Sequence, residues 1–198
     1  MLKQPFLALS ALLFLLAPAA SAEVMEWKVD PVHSNIGFKV RHFGVSWVRG
    51  QFNELDGRVW FDKDDLSTLR MDVMINPASI DTGVERRDDH LRNPDFFEVE
   101  TFKEMRFVST KTMKQADGTV KVTGDLTMHG QTHPVTLTVD GLTKVADPGS
   151  GPRTGASARA VIKRSEWGMT WVEQLKTGGV NVADEIHIEI EAELRPAQ

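Results

Sequence analysis

Six histidines, at positions 33, 42, 90, 129, 133 and 187, are the side chains in this sequence with the widest chemical range. His129 and His133 flank a turn (His129-Gly-Gln-Thr-His133), a spacing that could clasp a metal ion. Zinc takes three or four ligands drawn from Cys, His and carboxylates. The chain has no cysteine and no acidic motif beside the pair to complete the set. Both histidines therefore read as turn and strand-end residues on the surface, and no metal centre is expected. His187 alternates with glutamates and reads as a solvated position. His33-Ser34 has the residue types of a nucleophile and its base, but neighbours on a strand point to opposite faces. No G-x-S-x-G elbow accompanies them, so no catalytic residue and no cofactor is expected. The densest charge run, Arg86-Arg-Asp-Asp-His90, reads first as the wet face of a helix.

The elements around these residues are mostly strands, because apolar side chains recur with period two. Ile36, Phe38 and Val40 alternate with Gly37, Lys39 and Arg41. Leu55, Gly57, Val59 and Phe61 form a second set, and Leu69, Met71, Val73 and Ile75 a third. Met105 and Phe107 begin another, followed by Val120, Val122, Gly124, Leu126 and Met128, then Val135, Leu137 and Val139. Ile186, Ile188, Ile190, Ala192 and Leu194 alternate with His187, Glu189, Glu191 and Glu193, the cleanest pattern in the chain. Turn residues at Asp117-Gly118, His129-Gly130, Asp140-Gly141 and Asp147 to Pro152 punctuate the runs every eight to twelve residues or so, as in a meander, sandwich or barrel. One charged, non-alternating stretch, Val84 to Asn93, predicts a short helix, with Thr82 and Glu85 at capping-box spacing. The expected fold is all-β, with about eight antiparallel strands, one helical insertion and a sheet closed to remove its edges. A ring of that size either fills with side chains or holds one small ligand. Small residues (Ala156, Ala158, Ala160, Gly37, Gly57, Gly124) argue for space that Phe38, Phe52, Phe107 and Met128 would line. The same residues could instead mark bends in a filled barrel, and the sequence leaves both open.

The chain has 198 residues, 41% apolar and 26% charged, which is ordinary globular usage for one domain. Its net charge of −5 and lack of a basic stripe argue against nucleic acid as a partner. Lys3, the apolar run Phe6 to Ala17 and Ala20-Ser21-Ala22 have the form of a cleavable export leader. That run is too short to span a bilayer, which needs about twenty residues. Residues 1–22 are thus expected to be removed, leaving an exported barrel over residues 23–198 with a net charge of −6.

Several segments in order along this chain resemble the YceI-like family of bacterial periplasmic proteins. They are Trp27-Lys-Val-Asp-Pro-Val-His-Ser34, Phe38-Lys-Val-Arg-His42, Gly50-Gln-Phe52, Asp81-Thr82, Arg87-Asp-Asp-His-Leu91, Asp95-Phe-Phe97, Gly124-Asp-Leu-Thr-Met-His-Gly130 and Arg164-Ser-Glu-Trp-Gly168. The resemblance runs from about Glu26 to Glu193. Trp27 and Trp167 depart from it slightly, standing where Tyr and Phe are usual and keeping the position aromatic. The resemblance implies a lipocalin-like, eight-stranded antiparallel barrel. It implies a polyisoprenoid or quinone-like lipid as ligand, a role as carrier or store, and an association with envelope stress. Brief contact with the membrane surface and a homodimer are partners compatible with it. Under the same reading, an Arg and an Asp from Arg87 to Leu91 close one end of the barrel, above Phe96 and Phe97.

Ligand-binding positions are then the inward apolar set: Ile36, Phe38 and Val40, with Phe52 and Val59; Met71 and Val73; Phe96 and Phe97; Phe107; Leu126 and Met128; and Leu137, Ala158 and Ile188. Two other readings remain open from the sequence. One is an envelope interaction module that uses the barrel as scaffold. The other is an enzyme acting on such a lipid, with Arg87, Asp88 and His90 at the mouth.

Overall fold

The Ile/Glu alternation becomes the longest strand, Val182–Pro196. Its isoleucines face inward, and outside them Glu189 pairs with Lys39 and with Arg49 (2.9 Å), while Glu191 accepts from the Ser157 hydroxyl (2.7 Å). The structure, a computed structural model, describes residues 23–142 and 144–197, so the expected leader lies outside the described residues.

Twelve strands are present among the described residues: β1 (Met25–Val29), β2 (Asn35–His42), β3 (Ser46–Phe52), β4 (Leu55–Phe61), β5 (Arg70–Ile75), β6 (Ile80–Asp81), β7 (Met105–Lys114), β8 (Val120–Met128), β9 (Gln131–Asp140), β10 (Val145–Ala146), β11 (Arg153–Lys163) and β12 (Val182–Pro196). Eight of them close a ring of antiparallel neighbours in the order β12, β11, β9, β8, β7, β5, β4, β1 and back to β12. Closure depends on the length of β12. One edge pairs with β11 from Lys163↔Glu185 to Thr154↔Leu194. The other edge is shared, by β2 over Val182 to Glu191 and by β1 over Leu194 to Pro196. Strands β2, β3 and β6 thus extend the wall as a flap, and short β10 trims the edge of β11.

One end of the ring is solid. Trp27 stacks on Phe61 with ring centroids 5.5 Å apart, and Leu69, Val120 and Val122 complete a plug in which no side chain is more than 2% exposed. The opposite end is covered by helix α1 (Glu85–Arg92) and the loop that follows it. The capping box expected from Thr82 and Glu85 does not form, since Val84 is the N-cap and makes no side-chain bond. Gly83, at φ +76°, turns the chain so that Thr82 meets the second turn of the helix instead. Its N–H donates to Asp88 Oδ1 (3.0 Å), its hydroxyl also bonds that carboxylate, and Arg87 donates to its hydroxyl (2.7 Å) and carbonyl (2.8 Å). Arg87 and Asp88 are therefore not a wet helix face. Asp88 is buried, and together they tie α1 to the end of β6.

The glycines expected to leave space behave differently. The Gly124 position is taken by the Phe107 ring, which lies 2.5 Å from where a Cβ would stand, and Gly57 is filled in the same way by Val73 and Val29. Gly37 faces outward beside Asn35. Of the β11 alanines, Ala156 and Ala158 border the open space and Ala160 does not.

Candidate functional site

Above the plug the ring is hollow, with a cavity of about 220 Å³. Two belts of register partners build its wall. Val139, Ala158, Ile190, Ile36 and Phe52 follow one another across β9, β11, β12, β2 and β3. Val73, Phe107 and Leu126 do the same across β5, β7 and β8. One step toward the plug lie the partners Val59 and Met71, and toward the roofed end lie the pairs Phe38–Ile188 and Val40–Ile186. Met128 and Leu137 complete the wall, and Phe96 and Phe97 roof it, with Phe97 edge-on to Phe52 at 5.6 Å. All fifteen apolar positions singled out from the sequence border this one cavity. So do others of the same parity that were not singled out, such as Ala156, Ala192 and Leu194, because period-two alternation places every second residue on the same face.

Every described residue around the cavity has an apolar side chain or none, except Ser34 near the plug and Arg164 at the roofed end. Ser34 is engaged by the backbone: its hydroxyl donates to Glu193 O (3.4 Å) and accepts from Glu193 N–H (3.0 Å). Arg164 was missed as a site residue, though its phase gave it away. Counting by twos along β11 from Ala156 through Ala158, Ala160 and Ile162 lands on Arg164, so a strand that should end in another apolar residue turns a guanidinium inward. Arg164 is 5% exposed. Its Nε donates to Ala183 O (3.1 Å) and its Nη1 to Met169 O (2.5 Å), and its Cζ lies 5.8 Å from the centre of the Phe96 ring. Burial lowers its pKa, and the field of Asp184 partly opposes this.

The histidines take varied positions. His129, expected on the surface, is largely enclosed; its Nδ1 donates to Trp167 O (2.8 Å) and its buried Nε2 has no hydrogen-bond partner. A type I′-like turn with positive φ at both His129 and Gly130 folds it under the Phe102 ring. His133 packs edge-on to Trp167 and His187 edge-on to Trp47, so the latter is half-buried rather than fully solvated. His90 bonds Asp95 (2.8 Å) and sits edge-on to Trp171 outside the roof. His33 and Ser34 lie in a turn, not on a strand, and do not contact each other; His33 bonds Asp30 (3.2 Å) instead. Asp30, His33 and Glu193 bring possible ligand atoms within 4.8 Å, but Asp30 is held by His33 and Glu193 by Arg153 (3.4 Å).

A walled, largely apolar chamber is suited to enclosing a hydrocarbon chain, and comparison with known proteins places the architecture. The chain is 40% identical over 172 residues to a UPF0312 protein of Serratia proteamaculans, which covers 86% of this chain and 88% of that one. Its fold matches the crystal structure of BcnA from Burkholderia cenocepacia with a TM-score of 0.71 at 27% identity, over 83% of this chain and 98% of that one. The same architecture recurs in a polyisoprenoid binding domain from Saccharophagus degradans at a TM-score of 0.62 and 14% identity, over 87% of this chain and 99% of that one. The YceI-like domain profile matches residues 27–194, from the first strand of the closed ring to the last, and the chain belongs to the YceI-like family.

Proposed function

We propose that this protein is a carrier or store for a polyisoprenoid or quinone-type lipid, exported to the periplasm and freed of residues 1–22. One observation carries the reading: a closed ring that leaves a chamber of about 220 Å³ walled by aliphatic and aromatic side chains. A polyisoprenoid ligand in a relative of the same fold supports it, as the Saccharophagus degradans domain is described as binding one. The family and this neighbour favour a binding protein over an enzyme.

The energetics fit reversible uptake. Each buried CH₂ is worth about 0.8 kcal/mol relative to water, so twenty carbons represent a gross transfer of about 16 kcal/mol, which binding entropy reduces heavily. Relative to a bilayer, where the lipid is already dry, the transfer is nearly neutral and the protein needs no energy input to load or unload. Exchange with a membrane requires apolar contact at the end away from the plug. Exposed Phe43 and Val45 occupy the β2–β3 tip, where Phe43 N–H bonds Asn181 O (2.9 Å) next to the start of β12, and exposed Val172 lies in the loop preceding β12.

Native mass spectrometry and organic extraction of protein purified from the envelope fraction test the proposal. The expected result is a bound lipid of repeating five-carbon units on a chain beginning at Glu23. Repeated recovery of lipid-free protein that also fails to take up added prenyl lipid would overturn it.

A further inference from the structure

The outside of the barrel carries a second concavity, a groove of about 840 Å³ lying across β8, β9, β11, β12, β2 and β3. One register row crosses its floor, through Lys121, Thr138, Arg159, Glu189, Gly37 and Gln51 on successive strands. At a strand spacing of about 4.8 Å the row is roughly 24 Å wide. Gly37 has no side chain to fill it. Four cations and two carboxylates border the groove. Both carboxylates are engaged, Glu189 by Lys39 and Arg49 and Glu191 by the Ser157 hydroxyl. The other two cations are not neutralised. Arg159 is exposed, and its five donors meet no side-chain hydrogen bond or ion pair among the described residues. Lys121 donates one proton to the Thr138 hydroxyl (2.8 Å) and has no carboxylate within ion-pair distance among the described residues. These two stand two strand spacings apart, about 10 Å. The groove is thus locally positive on a chain whose net charge is −5.

We infer that this outer groove binds an acidic oligosaccharide, a short chain of sugars bearing carboxylates, with Arg159 and Lys121 each holding one carboxylate. The guanidinium fork of Arg159 matches two carboxylate oxygens at once, and Lys121 acts as a point charge. Around them the outward side chains are hydroxyls and amides, Thr136, Thr138, Asn35 and Gln51, which suit the hydroxyls of sugar rings. An acidic peptide fits less well. Every strand in the row is paired to the next, so no free edge exists there for a peptide to join. Peptide anchors also need apolar pockets, and Val161 is the one large apolar side chain pointing outward among the residues of this groove. Nucleobases would need an aromatic platform. Trp47, edge-on to His187, has the Arg41 guanidinium over its ring at 4.1 Å.

The test titrates the mature protein with tetragalacturonic acid, neutral maltotetraose and a tetraglutamate peptide, following amide shifts by NMR. The acidic sugar should bind roughly five- to twenty-fold tighter than the neutral one, because two exposed charge contacts contribute about two- to five-fold each. Affinity should fall several-fold as salt rises from about 20 to 200 mM, since such contacts are screened. The largest shifts should centre on Gly37, Thr138 and Arg159. The double variant Arg159→Gln/Lys121→Gln should bring the ratio of acidic to neutral sugar close to one. Lys103→Gln, which removes a cation paired with Glu100 outside the groove, should leave it unchanged. Both altered groove residues lie outside the barrel, so Tm and prenyl-lipid uptake should match wild type and show that the fold is intact. Equal binding of the two sugars, tetraglutamate binding as tightly as the acidic sugar, shifts centred elsewhere, or no binding at all overturns the inference. Each of those results leaves the lipid-carrier reading standing, because that reading is tested by lipid uptake into the chamber on the other side of the wall.

Discussion

Replacing Ala158 with Leu separates a hollow barrel from a filled one by the sign of a single measurement. Ala158 lies mid-belt between Val139 and Ile190, and its methyl faces the cavity. Leucine adds three carbons, worth about 2.4 kcal/mol at roughly 0.8 kcal/mol each when they leave water for an apolar space. Fixing the leucine rotamer costs about 0.5–1 kcal/mol, so the net gain is about 1.5 kcal/mol. For a domain of this size each kcal/mol moves the Tm by about 2–4 °C, which predicts a rise of about 3–6 °C in delipidated protein. In a solid interior the same carbons would force side chains off their rotamers at a cost of about 1–3 kcal/mol, and the Tm would fall. Scanning calorimetry on lipid-free wild type and variant gives the sign directly. The variant should also retain less lipid, since its own side chain occupies the space. A clear drop in Tm would refute the hollow chamber and everything built on it.

Other consequences are equally direct. Gly124→Ala puts a Cβ 2.5 Å from both the Phe107 ring and the Val108 carbonyl, so it should destabilise by about 1–3 kcal/mol in urea unfolding. Trp167, fully buried, donates its indole N–H to Leu126 O (3.0 Å); Trp167→Phe removes that bond and should lower stability by about 0.5–1.5 kcal/mol. Arg106 grips Asp72 through two bonds of 2.8 and 2.7 Å and holds its carboxyl below the usual carboxylate range. A lowered folded-state pKa gives stability that is complete at neutral pH and lost as pH falls through that value. Asp72→Asn should therefore be less stable than wild type at about pH 7, with the gap in urea midpoints closing progressively below about pH 4. An unchanged gap would show that the pair contributes nothing through charge.

The strands were legible because burial on one face leaves a period-two trace, and β12 shows why: each isoleucine lines the chamber, and Glu189, Glu191 and Glu193 each have a cation or hydroxyl partner outside. What alternation does not encode is depth along the barrel axis. Phe61 and Val59 have the same parity on β4, yet Phe61 belongs to the plug and Val59 to the cavity wall. That distinction arises from Trp27 on another strand, which no local pattern reveals. The sequence therefore left hollow and filled as alternatives, and the protein is each at a different end. The glycines misled for a related reason: an inward glycine creates a gap only if no neighbouring ring covers it, and Phe107 covers Gly124. Arg164 was readable by phase, but its buried position depends on the carbonyls of Met169, in the loop after it, and of Ala183, on β12.

The division into a solid end and a hollow end answers how a ligand chamber can exist without collapsing. A cavity costs roughly 24 cal/mol per Å³, so 220 Å³ left empty costs about 5 kcal/mol, comparable to the whole net stability of many domains. The ring cannot shrink to remove it, because eight strands with continuous backbone pairing fix its girth. The plug contributes large, fully buried side chains, Trp27, Phe61 and Leu69 among them, that do not border the cavity and do not depend on ligand. At the other end α1 is held by Arg87, Asp88 and Arg92, whose bonds reach Thr82, Ala78 and Ile80, so the roof is tied through polar contacts to one segment of wall. Polar bonds at the rim hold α1 in place, while Phe97 packs edge-on to Phe52 and Phe96 and Phe97 close over the cavity without filling it.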